Sequence, residues 1–151
     1  MLQNRFDWHE SIKAVEREYW AVRIAVERLV ESAARDPNVL GTGPKPRDLV
    51  SADENLEGTY LIRMFAKFET GVRSYWRTLK PRSRASVEIL VDRVADKRSI
   101  PIDVTQGVHA VRQYRNRLVH ERDQAVEHIT IADARSRLAT YLARLPLMWD
   151  A

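Results

Sequence analysis

One stretch concentrates the side chains that could do chemistry: Arg112, Arg115, Asn116, Arg117 and His120, interleaved with Val108, Val111, Leu118 and Val119. Guanidinium groups hold phosphate or carboxylate through paired N–H bonds, and an imidazole accepts or delivers a proton near neutral pH. Read at helical spacing, Val104, Val108, Val111 and Leu118 form an apolar stripe, and the position that completes it is Arg115. A guanidinium on a core seam needs a carboxylate, carbonyls, a phosphate or a second subunit, because burying it alone is costly. His120 follows five residues later, which on a regular helix turns it about 140° away from Arg115. The two therefore meet on one ligand only if the helix breaks between them or if a second copy supplies one of them. Asn116 and His120, four apart, share a face.

The elements that must carry this stretch are all helical. Asp7 with Glu10 has capping spacing, and Trp8, Ile12, Val15, Tyr19, Val22, Val26, Leu29 and Ala33 continue a four-three stripe through a long first helix. Pro37, Gly41, Gly43, Pro44 and Pro46 predict an irregular connection over 36–50. Ser51 with Glu54 is expected to open a second long helix, with Leu61, Phe65, Phe68, Val72, Tyr75 and Leu79 inside and Pro81 beyond its end. Gly71 within it suggests a close helix crossing. Trp76 lies off that stripe and suits either core packing or a base-stacking surface. Val87 to Val94 gives a short third helix. Asp103 with Gln106 starts the helix that carries the Arg-His run, and Thr130 with Asp133 caps a last one. No segment alternates with period two, so the expectation is an all-α bundle of about five helices forming one domain, 1–151.

Composition narrows the function. The chain has no cysteine, which excludes disulfides, thiolate catalysis and cysteine-based zinc sites. No His, Asp and Glu cluster has metal-ligand spacing, and no serine stands in a nucleophile elbow, so neither metal nor cofactor is expected. No apolar run approaches the length of a membrane span, and the first ten residues carry Arg5, Asp7 and Glu10; a cytoplasmic protein without membrane association is the expectation. Of the 25 basic residues in the chain 20 are arginine, and their placement is uneven. Between Thr70 and Val87 there is no acid, but Arg73, Arg77, Lys80, Arg82 and Arg84 occur there; between Val104 and His120 there is again none, with Arg112, Arg115 and Arg117. Arg73, Arg77, Arg82, Arg84, Arg112 and Arg117 are accordingly the expected contacts to a polyanion such as RNA.

The run Arg115-Asn116-Arg117-Leu118-Val119-His120, closing one helix shortly before another, resembles the signature of the HEPN superfamily. That resemblance implies an all-α fold and a homodimer whose motifs lie side by side. It also implies a metal-independent endoribonuclease of the kind found in toxin–antitoxin and antiviral systems, with an antitoxin as a further partner. It assigns His120 as general base or acid, Arg115 as phosphate clamp and Asn116 as the group that orients them, with a 2′,3′-cyclic phosphate as product. Arg122 stands where the covalently regulated toxin branch has tyrosine, so that form of regulation is not implied. Two other readings remain open on the residues alone. One is an inactive RNA- or protein-binding relative. The other is a structural role, with Arg115 paired to a carboxylate such as Glu69 and His120 capping a helix end.

Overall fold

The computed structural model describes residues 4–120 and 125–149, and among them every regular element is a helix. In order these are α1 (Arg5–Arg35), a 3-10 turn (Pro37–Leu40), α2 (Pro46–Leu79), α3 (Val87–Arg98), α4 (Ile102–His120) and α5 (Ile131–Leu142). The all-α bundle of five helices expected from the periodicity is what the chain forms. Helices α1 and α2 pair along their length, α5 lies against α1, α2 and α4, and α3 fills the remaining side between α2 and α4.

Three helix starts differ from the sequence reading, the smallest shift being at α4, which begins at Ile102 and holds Asp103 in its first turn. The first helix is capped by Asn4, whose Oδ1 accepts the Asp7 N–H at 2.8 Å, while Asp7 itself sits in the first turn. The second begins at Pro46, not Ser51, with Asp48 Oδ2 accepting the Lys45 N–H at 2.8 Å. A proline read as a helix breaker is here a helix starter. At the first position its missing N–H has no intrahelical partner to lose, and its fixed φ suits the helix. The connection shrinks accordingly to 36–45. Thr130 caps α5 as expected, its Oγ1 accepting the Asp133 N–H at 3.2 Å.

The core gathers Ile12, Leu61, Met64, Phe65, Phe68, Val72, Leu90, Val108, Val111, Leu138 and Tyr141. Tyr141 packs edge-on against Phe68 and donates its hydroxyl to Val91 O at 2.7 Å, so its polar end is satisfied inside the apolar mass. Burial pushes that phenol well above its usual pKa. Gly71 does mark a close crossing: a Cβ there would stand 2.9 Å from the Trp8 indole.

The bundle is lopsided. At 1.5 Å per residue, α1 and α2 are about 46 and 51 Å long, whereas α3 and α5 reach only about 18 Å. Beyond Tyr19 only Ala33 of α1 is buried, and α2 buries nothing before Leu61. The continuous stripe expected to bury Val22, Val26 and Leu29 therefore lies half-covered or exposed on a two-helix arm. Arg23, hydrogen-bonded to Asp53 and paired with Glu27, clips the two helices of that arm together.

Candidate functional site at the end of helix α4

Helix α4 buries Thr105, Val108, Val111 and Tyr114, which brings Arg115 to the edge of the core. Its guanidinium carbon lies 5.7 Å from the centre of the Phe65 ring. Nη1 donates to Asn116 Oδ1 at 2.9 Å, and the buried Nε has no acceptor among the described residues. Glu69, one carboxylate that a structural role could have used, bonds to Arg73 instead, at 2.9 Å from Nε and 2.7 Å from Nη2. One turn further along, Leu118 presses on Gly58, where an added Cβ would meet it at 3.3 Å, so α4 and α2 approach closely beside the arginine.

This placement carries a standing cost. A buried donor without a partner costs about 1–3 kcal/mol, and a guanidinium cannot escape by losing its proton. Stacking on Phe65 returns about 0.5–2 kcal/mol of that. An anion offering an acceptor to Nε would relieve the rest.

Helix α4 runs without interruption through His120, which is exposed in its last turn with Arg117. Of the two routes by which Arg115 and His120 could combine, a break between them is thus removed. Asn116 gives its oxygen to Arg115 and holds the guanidinium. Glu121, Arg122 and Asp123 lie outside the described residues.

Beside this end of α4, a polar cavity of about 340 Å³ is lined by Glu54, Asn55, Glu57, Thr59, Tyr114 and His128 over Gly58, Ile62 and Leu118. The Tyr114 and His128 rings meet edge-on at 5.4 Å, and His128 Nε2 is 4.0 Å from Glu57 Oε1. Burial, and then the Glu57 charge, raise the Tyr114 pKa. The sequence did not point to this grouping, because Glu57 and His128 are remote in the chain.

The six arginines expected to hold a polyanion separate into two kinds. Arg77, Arg82, Arg84 and Arg117 are exposed and form no ion pair among the described residues. Arg73 and Arg112 are committed internally. Arg73 holds Glu69 and donates to Ala85 O at 2.8 Å; Arg112 pairs with Glu88 at 3.4 Å and donates to His109 Nδ1 at 3.3 Å. Both lie on acid-free stretches of sequence, but helix packing brings acids to them from one turn away or from α3.

Among the described residues no three His, Asp or Glu side chains stand close enough to hold a metal ion, and no helix is long and apolar enough to cross a membrane. Comparison with family models, with curated proteins and with solved structures returned no match for the chain.

Proposed function

We propose that the chain is a metal-independent endoribonuclease of the HEPN type, working in the cytoplasm as a homodimer. Arg115 of one copy and His120 of the partner subunit would share one scissile phosphate. The observation that carries this reading is Arg115 itself: a guanidinium at the core edge beside Phe65 and Asn116, with no carboxylate partner and no acceptor for its buried Nε among the described residues. Because α4 is continuous, two-fold pairing is the simplest way to bring His120 to the same ligand.

In this reading His120 takes the proton from a ribose 2′-OH, and the 2′-oxygen attacks phosphorus. The bond to the 5′-oxygen breaks, and that oxygen leaves with a proton as a 5′-hydroxyl. Arg115 stabilises the charge that builds on the non-bridging oxygens. The product is a 2′,3′-cyclic phosphate, and DNA is resistant for want of the nucleophile. A toxin or antiviral effector held in check by an antitoxin protein fits such an activity.

A gel assay of wild type, His120→Ala, Arg115→Ala and Arg115→Lys on matched RNA and DNA, with and without EDTA, tests it. RNA-only cleavage that survives EDTA and is lost in His120→Ala is the expected result. Cleavage that needs magnesium, acts on DNA, or persists in His120→Ala overturns it. The second reading, an inactive RNA-binding module, draws on the exposed arginines of the α2–α3 loop, which need no catalytic pair to hold RNA.

A further inference from the structure

A larger cavity lies away from α4. The last turn of α2, the loop after it and α3 enclose a groove of about 740 Å³, lined on its apolar side by Trp76, Leu79, Pro81 and Ala85. Lys80, Arg82, Ser83, Arg84 and Arg93 complete the lining. A second, arginine-lined hollow of about 450 Å³ adjoins it, sharing Pro81, Arg82, Ser83 and Arg84 and adding Arg77. Leu79 is 40% exposed although it closes a helix stripe, so the groove leaves apolar surface in contact with water.

The groove is braced from within. Trp76 Nε1 donates to Ser83 Oγ at 3.2 Å, which ties the indole to the loop and satisfies its one donor; the indole is only 9% exposed, and Leu79 at 40% offers the more open apolar surface. Arg73 pins the far end of the loop through Ala85 O. Arg77, Lys80, Arg82, Arg84 and Arg93 form no ion pair among the described residues. The α2 carboxyl end contributes about half a negative charge nearby, which those cations outweigh.

An apolar slot beside a hollow of guanidinium groups matches a molecule with an aromatic body and an attached phosphate. We propose that this groove binds a nucleoside phosphate, the base against Trp76 and Leu79 and the phosphate on Arg82, Arg84 and Arg93. The nucleotide is either free or one residue of a single RNA strand. The proposal stands independently of whether Arg115 and His120 cleave RNA.

Calorimetric titration of the full chain in EDTA at low salt tests it, with ATP, adenosine, inorganic tripolyphosphate, dodecyl phosphate and a DNA hexanucleotide that resists cleavage. ATP is expected to bind at least tenfold more tightly than adenosine or tripolyphosphate, the gain coming from apolar contact plus charge together. Leu79→Glu and Arg84→Glu, both at exposed positions, are each expected to weaken ATP at least tenfold with unchanged far-UV dichroism. Tripolyphosphate as tight as ATP would reduce the groove to a charged patch, dodecyl phosphate as tight as ATP would remove the base, and indifference to both substitutions would move the site elsewhere. Each of these overturns the proposal. If the hexanucleotide displaces ATP and binds more tightly, the natural source is a strand; if ATP is the tighter, it is a free nucleotide. His120→Ala is expected to leave ATP affinity unchanged, so loss of cleavage and loss of this site are read separately.

Discussion

Arg115 and the loop arginines differ in how they are held. Among the described residues Arg115 has one side-chain bond, an aromatic ring beneath it and a buried donor left over. Arg77, Arg82 and Arg84 are exposed, with no ion-pair partner among the described residues. A fixed charge can stabilise a transition state because little reorganisation is needed when the charge develops; mobile charges attract and retain a polyanion without discriminating its geometry. The same residue type thus supplies positioning at one place and affinity at another.

The largest effect that would break this contrast is catalytic. Removing a general acid or base typically slows a reaction by about 10²–10⁴, and His120→Ala is expected to do so while a filter-binding assay shows near-normal RNA affinity. Arg115→Lys should not restore the wild-type rate, because an ammonium cannot make the paired bonds of the planar fork. Equal losses of binding and cleavage in both variants would erase the distinction between the regions.

Next in size, Arg115→Met separates a functional charge from a structural one. Replacing a poorly compensated buried charge by an apolar side chain of similar volume is often neutral or stabilising by about 1–4 kcal/mol. The melting temperature is therefore expected to hold or rise while cleavage disappears. A fall of several degrees would mean that Arg115 serves the fold.

A smaller effect sharpens the comparison inside the basic stretch. Arg77→Glu with Arg82→Glu should weaken single-stranded RNA binding and flatten its salt dependence by about 0.7 logarithmic units per cation removed. Arg73→Gln, four residues before Arg77, should leave that slope unchanged and lower stability by about 1 kcal/mol through lost contacts to Glu69 and Ala85. Identical salt slopes for the two variants would put Arg73 back among the RNA contacts.

The bundle was legible because its information is local: period-four-three stripes fixed the helices, and Gly71 forecast the Trp8 crossing. Helix starts were less legible, since Pro46 is compatible with both a break and a beginning. At the candidate site, the position of Arg115 on the core edge could be read from the stripe. Its choice of Asn116 over Glu69 could not, because Glu69 was already engaged by an arginine one turn along its own helix. Arg112 misled for a related reason, its acid arriving from α3. The apolar groove was foreshadowed only by Trp76 lying off its stripe. Its depth depends on how the 80–86 loop folds back, which no periodicity encodes.

The uncovered arm of α1 and α2 has a consequence for how the molecule opens. With little buried between Tyr19 and Leu61 apart from Ala33, separating these two helix halves exposes far less surface than unfolding the bundle. Amide hydrogens in 22–35 and 50–58 should therefore exchange through a partial opening whose free energy depends weakly on denaturant, whereas those in 61–75 wait for global unfolding and show the full dependence. Native-state exchange at several sub-denaturing urea concentrations would resolve two slopes, the shallower one belonging to a stem that loosens while the core stays shut.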